Sequence, residues 1–158
     1  MDRTLKIRSR SASAEKGGQH LTQHDTNREQ RGYEFLPDER VATYPALYSG
    51  EDIPILDKVV FDRFFIGAPD DERASQWWLC EYDPEQGIAF GFAVLVGDTI
   101  NAEFGYFSPL GELESLRVPV RSKGIVVDEV IVHRDLFWEP KPISEAVPKS
   151  LHQGWWER

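Results

Sequence analysis

Bulky and small residues alternate with a period of two in the central part of the chain. Over residues 88–96 every even-numbered position is bulky, while Ala89, Gly91 and Ala93 stand between them. A strand sends alternate side chains to opposite faces, whereas a helix would distribute these aromatics around its axis. The pattern therefore predicts a half-buried β-sheet with a core rich in aromatic residues.

The same alternation predicts five strands joined by polar segments. Four of them cover residues 58–66, 76–82, 88–96 and 101–107, and the short connections between them predict an antiparallel meander. The fifth, residues 125–133, carries polar groups on both faces, so it is predicted to lie at a sheet edge.

A short helix is predicted between the fourth and fifth strands, over residues 108–117. Ser108 is a favourable N-cap residue, and Pro109 suits the first helical position because its missing N–H costs nothing there. Three leucines spaced by three residues give this helix an apolar side that would lie on the sheet. Together these segments predict the α+β class: an antiparallel sheet of four or five strands with one short helix packed on one face.

The chain is long enough for one compact domain, which two polar segments flank. Residues 1–32 lack apolar periodicity and are predicted to form a disordered tail, and residues 149–158 are predicted to form a C-terminal tail. The single domain would span residues 33–148. Prolines interrupt its first apolar segment, residues 44–56, so we expect extended, irregular backbone that packs on the sheet. The apolar residues expected in that contact are Leu47, Tyr48, Ile53 and Leu56.

Charge is distributed unevenly between the predicted tail and the predicted domain. Residues 1–32 contain seven Lys and Arg against four Asp and Glu, whereas residues 33–158 contain eleven against twenty-three. An acidic surface repels nucleic acid, so no direct nucleic-acid binding by the folded domain is expected. Such a surface suits a basic protein partner, although it also serves solubility alone.

The sequence also restricts the compartment and the cofactors. The single cysteine, Cys80, cannot form an internal disulfide and lacks the neighbours of a zinc site. No phosphate-binding glycine loop, serine nucleophile motif or set of metal ligands stands out, so neither a cofactor nor a metal is expected. No apolar run has the length of a bilayer span, and the N-terminus lacks the apolar core of a secretory signal. These features predict a cytoplasmic protein without a membrane contact.

Five titratable side chains of the predicted strands and their flanks suit acid–base catalysis: Glu81, Asp83, Glu103, His133 and Asp135. Paired carboxylates in a cleft, or Glu81 or Glu103 acting with His133, would suit a small hydrolase. The structural interpretation is favoured: the carboxylates face solvent or pair with Arg63 or Arg134, and the histidine is hydrogen-bonded. No catalytic residue is therefore predicted.

A binding surface is the favoured interpretation of the exposed strand positions. Aromatics on a sheet can stack nucleic-acid bases, but strands one to four contain only Lys58 and Arg63 as cations. An aromatic anchor ringed by carboxylates would instead contact a basic protein, in a non-enzymatic role. An alternative is an acidic DNA mimic that inhibits a host nucleic-acid-binding defence protein. The predicted binding residues are Trp77, Glu81, Tyr82, Glu103, Tyr106 and Glu112.

Four groups of residues carry a resemblance to a bacterial family. They are Leu47-Tyr48 with residues 53–58; Phe64-Phe65 with Trp77-Trp78 and residues 81–83; Phe90-Gly91 with residues 103–108; and residues 112–114 with 134–136 and 140–143. Through them, residues 44–147 resemble the domain of unknown function 2958 family. The block of residues 103–114 is the most specific part of the likeness.

This resemblance implies a small protein carried by plasmids, integrative elements or phages, in a family with no established activity. It suggests interaction with the host or an accessory role in DNA transfer. Residues 119–130 are longer than the family's link before Arg134-Asp135, and the polar N-terminus lies outside the family domain. A function particular to this protein would lie in those additions.

Overall fold

The computed structural model describes residues 26–68, 74–95 and 102–152. The first 25 residues of the predicted tail, the end of the third predicted strand and the Trp155-Trp156 pair lie outside these ranges. The strands of the described residues are β1 (Val59–Val60), β2 (Asp62–Ile66), β3 (Gln76–Asp83), β4 (Ile88–Val94), β5 (Glu103–Phe107), β6 (Arg117–Ser122), β7 (Ile125–Arg134) and β8 (Lys141–Pro142).

The helical segments are short. They comprise α-helical turns at Arg28–Arg31, Asp38–Val41 and Ile143–Ala146, 3-10 turns at Ile55–Asp57 and Lys149–Leu151, and a wide π-type turn at Pro109–Leu113. In the described ranges, none of the helices has both the length and the apolar character needed to cross a bilayer.

Six of the described strands form one antiparallel sheet in the order β5-β4-β3-β2-β7-β6, and β1 pairs with β8 in a second, two-stranded sheet. The predicted antiparallel meander is confirmed for β2 to β5, which are neighbours in chain order. The strand count was wrong, because β6 was not predicted. The edge position predicted for residues 125–133 was also wrong, since β7 lies between β2 and β6. The first predicted strand is divided at Phe61, where β1 leaves the main sheet.

The predicted helix over residues 108–117 is only partly present. Ser108 is its N-cap as predicted, because its hydroxyl oxygen accepts a 2.9 Å hydrogen bond from the Gly111 N–H. The turn ends at Leu113, and Arg117 already belongs to β6. A two-residue turn at Lys123 and Gly124, with φ of 53° and 82°, joins β6 to β7. Positive φ at both positions defines the type I′ turn, which matches the twist of a tight hairpin.

Two hydrophobic clusters lie on opposite faces of the sheet, so the half-buried sheet was wrong for the central strands. All five residues of β2 are buried. The first cluster consists of Phe35, Leu36, Phe64, Ile66, Trp77, Leu79, Tyr82, Ala89, Phe107, Leu113 and Val132. The second cluster consists of Val60, Trp78, Cys80, Phe92, Val94, Ala102, Ile143, Val147 and Leu151. Phe92 and Val94 share the second cluster, as the alternation predicts.

Buried residues lie beyond both boundaries of the predicted domain. Asn27 and Arg31, which were assigned to the tail, are buried. The Asn27 side-chain amide donates to the Glu114 carbonyl (2.9 Å), and Arg31 Nε donates to the Val132 carbonyl (2.9 Å). At the other end Leu151 is buried in the second cluster, so residues 149–151 are not a free tail either.

Candidate functional site

The site begins with a bulge in β3. Leu79 pairs with Gly91 of β4, but the next pair is Glu81 with Phe90, so one residue of β3 is extra. Strict alternation would place Glu81 on the same face as Leu79, whereas the bulge turns it towards Phe90 and the second cluster. Gly91 permits the close approach of the strands, because a Cβ there would lie 1.8 Å from the Trp78 carbonyl oxygen.

The Glu81 carboxylate is buried and accepts hydrogen bonds from three groups. Its Oε1 accepts from the Tyr48 N–H (2.9 Å), and its Oε2 accepts from the Gly50 N–H (3.2 Å) and from Lys58 Nζ (2.9 Å). Lys58 Nζ also donates to the Gly50 carbonyl at 2.6 Å. We call this arrangement of Tyr48, Gly50, Lys58 and Glu81 the Glu81 clamp. It holds the loop of residues 47–50 against the sheet.

The clamp presents Tyr48 at the surface in an unusual backbone conformation. Its φ is +71°, which non-glycine residues seldom adopt and which costs free energy unless the surroundings impose it. The predicted packing of Tyr48 and Ile53 on the sheet was wrong, because the side chains are 57% and 46% exposed. The Tyr48 ring lies 6.4 Å from that of Tyr106, which is 58% exposed.

The two tyrosines are linked electrostatically as well as by contact. A side-chain hydrogen bond with Tyr48 raises the pKa of Tyr106, and the nearby carboxylates of Glu81 and Glu51 act in the same direction. The two carboxylates are the smaller causes of the shift, and their charges disfavour an additional negative charge at the phenol. The same charges favour a positive group near the Tyr106 hydroxyl.

A continuous series of ring contacts connects this tyrosine pair to the core. From the interior outwards, the centroid distances are 5.8 Å for Trp78–Phe92, 5.0 Å for Phe92–Phe104, 5.9 Å for Phe104–Phe90 and 5.4 Å for Phe90–Tyr106. We call these five rings the aromatic ladder. The cross-strand pairs Phe92↔Phe104 and Phe90↔Tyr106 of β4 and β5 align them on one face.

The structure brings together two of the six predicted binding residues. Glu81 and Tyr106 meet through Tyr48, which contacts both. Trp77 and Tyr82 are buried in the first cluster on the other face of the sheet, so they offer no surface to a partner.

Glu103 and Glu112 are exposed but lie away from Tyr106. Glu103 is four residues from Phe107 on β5, so it shares the face of the first cluster, opposite Tyr106. Glu112 belongs to the π-type turn, where its Oε1 accepts a 3.0 Å hydrogen bond from the Ser108 N–H. The predicted set therefore does not form one surface.

The groups considered for catalysis are held apart by the sheet. Gln76 lies opposite Phe65, and Phe65 lies opposite His133. Glu81 is five residues further along β3 than Gln76, which separates it from His133 by roughly 16 Å along the strand direction. Glu103 is four strands away from His133, roughly 19 Å across the sheet. Neither carboxylate can share a proton with this histidine.

Ion pairs account for two of the candidate carboxylates. Asp135 pairs with Arg63 at 3.0 Å, as the structural interpretation predicts. Glu81 pairs with Lys58 rather than with the expected Arg63 or Arg134. The role of Lys58 was not predicted, although a lone cation at the start of an apolar strand is the signal that would have suggested it.

A second buried carboxylate anchors the N-terminal segment on the first cluster. Asp62 is fully buried, and its Oδ2 accepts hydrogen bonds from Arg40 Nη2 (2.7 Å) and from the Tyr44 hydroxyl (2.5 Å). Burial, followed by the charge of Asp62, raises the pKa of Tyr44, so the phenol stays protonated and keeps donating. This network connects the segment after Asp38–Val41 to the start of β2, and its role is structural.

The remaining candidate chemistry is inert. Burial raises the pKa of Cys80 to about 12, so the thiol is protonated at neutral pH and fits the predicted core cysteine. Within residues 26–68, 74–95 and 102–152, no three His, Cys, Asp or Glu side chains are grouped so that they could hold a metal ion.

His133 is a hydrogen-bonded structural group, as predicted. Its Nδ1 lies 3.1 Å from the Tyr33 hydroxyl, and its ring stacks on Phe65 with centroids 5.9 Å apart. Burial and, after it, the positive charge of Arg31 lower the pKa of His133 below its usual value. The unfolded chain therefore binds a proton at this histidine before the folded protein does.

We expect this difference to make the folded state less stable below about pH 6.5, the ordinary histidine pKa. The contribution is fully present above that pH and is lost progressively as the pH falls towards the folded pKa. Urea unfolding at about pH 7 and about pH 5 would measure it, and His133→Gln should show a smaller loss over the same interval. An equal loss in both proteins would contradict the assignment to His133.

Comparison with known proteins adds no relative: no protein-family model, no curated protein and no solved structure matches this chain. The resemblance to the domain of unknown function 2958 family therefore stays a prediction.

Proposed function

We propose that this protein is a non-enzymatic binding module that recognises a basic segment of a protein partner through Tyr48 and Tyr106. The observation that carries the proposal is the exposed tyrosine pair, with ring centroids 6.4 Å apart, at the outer end of the aromatic ladder. The bulge in β3 and the Glu81 clamp act together to place Tyr48 there.

The chemistry of the surface favours a cationic contact. Tyrosine faces attract ammonium and guanidinium groups, and the exposed Glu51 carboxylate lies close enough to act on the Tyr106 hydroxyl. Lys58 is buried behind the loop, where the Glu81 carboxylate neutralises it. An incoming Arg or Lys would therefore meet two rings and an exposed carboxylate.

Pre-organisation supports binding rather than catalysis. The left-handed backbone at Tyr48 is maintained by two backbone hydrogen bonds to one buried carboxylate. Tyr106 is supported from below by Phe90. Rigid aromatic anchors lose little conformational entropy on binding, which is why they dominate the energetics of many interfaces.

Titration with short peptides tests the proposal. Each peptide would carry two Arg or Lys residues among neutral ones, with matched peptides that carry Glu instead. We expect the basic peptides to bind, with an affinity that falls as the salt concentration rises. The acidic peptides should not bind. Tyr106→Ala should reduce the affinity at least about tenfold, because truncating a central aromatic anchor costs more than about 1.4 kcal/mol.

Phe137→Ala is the matched control, because Phe137 is an aromatic residue that is 92% exposed outside this site. Its replacement should leave peptide affinity unchanged. Absence of binding to every basic peptide, or an equal loss in the Phe137 and Tyr106 variants, would reject the site.

The two alternative functions require different features of the protein or of its partner. A hydrolase that uses Glu81 or Glu103 with His133 has no support, because the sheet separates these groups. A DNA mimic would require a nucleic-acid-binding partner that DNA displaces, and competition of DNA with the captured partner would identify it. The family resemblance implies that the protein is carried by a plasmid or phage, so that partner would be a protein of the bacterial host. This mobile-element origin is part of the proposal.

A further inference from the structure

A second surface lies at the opposite edge of the main sheet from β5. It is formed by the hairpin of β6 and the first part of β7. We call residues 117–130 the arm. Every residue from 119 to 129 is exposed, although the arm is rich in β-branched apolar side chains. Ile125 is 67% exposed and Val127 is 60% exposed. A two-stranded hairpin that buries so little is marginally stable alone, so this surface is suited to being covered.

Both faces of the arm are apolar. One face continues directly from the core: Val118 and Val130 are paired across the strands and pack partly on the first cluster. Further out on that face lie Val120 and Ile125, which are 40% and 67% exposed, because Ile125 is paired with Ser122, four residues along β6 from Val118. The other face carries Val126, which is 46% exposed and lies opposite Arg121, because the extra residue Val127 changes the phase of β7. An apolar surface continuous with a core is what a protein interface requires at its centre.

The free edge of β6 is not suited to pairing with another strand. Pro119 lacks an N–H, and Arg117 and Arg121 lie on either side of it on β6. On the other strand of the arm, the extra residue Val127 interrupts the backbone of β7 opposite the step from Val120 to Arg121. Proline, bulges and cations are the devices that keep edge strands from adding further strands. The arm is therefore built to make contacts with its faces rather than with its backbone edge.

Charge identifies the partner. The arm contains three basic residues, Arg117, Arg121 and Lys123, against two acidic ones. The rest of residues 33–158 contains eight basic against twenty-one acidic residues. The arm is thus the basic part of an acidic domain, and the acidic surface that complements it on this chain is the chain's own body.

We propose that the arm packs through its valine and isoleucine faces on the body of a second copy of this chain. In a two-fold dimer the contact is made twice, since each arm reaches the partner's body. Nucleic acid is the poorer occupant, because three cations offset by two carboxylates and surrounded by valines give little phosphate attraction.

Sedimentation velocity of the full chain over a concentration series tests the dimer. We expect a monomer–dimer equilibrium, with a dissociation constant at least about tenfold higher in the Val126→Thr, Val127→Thr double variant. Both side chains are exposed, so the folded protein tolerates the change. Ile53→Thr is the matched control, because Ile53 is exposed to the same fraction as Val126, 46%, but lies outside the arm. It should leave the equilibrium unchanged.

Two further variants test the nature of the contact. Replacing Arg121 and Lys123 by Glu should weaken the dimer, most strongly at low salt. Pro119→Thr restores an N–H at the edge and should change the dissociation constant by less than about threefold if the faces make the contact. A large strengthening would instead indicate strand-to-strand pairing and overturn this geometry. A monomer at all concentrations up to about 100 μM, or arm-dependent DNA binding by a monomer, would overturn the proposal.

Discussion

Replacing Gly91 by alanine should destabilise the protein by at least about 3 kcal/mol, more than overpacking usually costs. The added Cβ would lie 1.8 Å from the Trp78 carbonyl oxygen and 3.2 Å from the Leu79 Cα. Both obstacles are backbone atoms of β3, so no side-chain rotation relieves the clash. The strands would have to separate at the bulge, where Glu81 is oriented. Chemical denaturation would measure the loss.

Gly105→Ala is the matched control for this change. Gly105 is the direct partner of Gly91 in the β4–β5 register, and a Cβ added there would meet nothing within 4 Å. Alanine at this position should change stability by less than about 1 kcal/mol, since only the strand preferences of the two residues differ. Similar losses in the two variants would show that the close approach at Gly91 does not determine the register.

Local alternation was enough to predict strands β2 to β5 because each of them repeats its pattern at short range. The order of β2 to β5 follows from short connections, and the aromatic face of β4 follows from its period of two. Prediction failed where one extra residue reverses which face of the sheet the following side chains occupy. The extra residue at Cys80 reverses the face of Glu81, and nothing in the apolar pattern indicates it. Trp77, which precedes the bulge, is buried on the other face.

Hydrophobic periodicity also could not predict which polar residues are buried, because hydrogen bonds rather than apolar contacts hold them there. Asn27 and Arg31 lie in a segment without apolar repeats, yet they bind backbone carbonyls of Glu114 and Val132. The same limit explains why the loop with Tyr48 was expected to pack inwards. Its position depends on a long-range contact with Glu81, 33 residues away.

The arm was missed for the opposite reason. The alternation of Val118 and Val120 is present in β6, but Pro119 between them disfavours an interior strand. An edge strand accommodates this combination, and β6 is the last strand of the main sheet.

The ion pair between Lys58 and Glu81 should show strong, non-additive energetics. Removing one partner leaves a charge buried without its counter-ion, so Glu81→Gln alone should cost about 3–5 kcal/mol. Lys58→Met alone should cost less, because the Tyr48 and Gly50 N–H groups still donate to the carboxylate. The double variant should cost less than the sum of the two, with a coupling free energy of about 1–3 kcal/mol in a double-mutant cycle.

The exposed pair of Arg117 and Glu129 provides the control cycle, measured at protein concentrations where the chain is a monomer. Its N–O distance of 3.1 Å is close to that of the buried pair, but both side chains are nearly half exposed. Exposed ion pairs are screened by water and salt, so the coupling in the Arg117→Met, Glu129→Gln cycle should be below about 1 kcal/mol. Equal couplings in the two cycles would mean that burial does not strengthen the Lys58–Glu81 interaction.

A spectroscopic measurement separates the loss of stability from the loss of the site. In Glu81→Gln the loop of residues 47–50 loses its acceptor, so Tyr48 should leave Tyr106. The pKa of Tyr106 should then fall towards its ordinary value, because the hydrogen bond with Tyr48 and the charge of Glu81 both raise it in the wild type. Ultraviolet titration under conditions where both proteins remain folded would follow the phenol, and Tyr106→Phe would assign the signal.

Phe90→Leu is the companion variant: it removes the ring below Tyr106 but leaves the clamp intact, so the raised pKa of Tyr106 should largely persist. If the titration of Tyr106 is unchanged in Glu81→Gln, the buried carboxylate does not position Tyr48, and the tyrosine pair does not depend on the clamp.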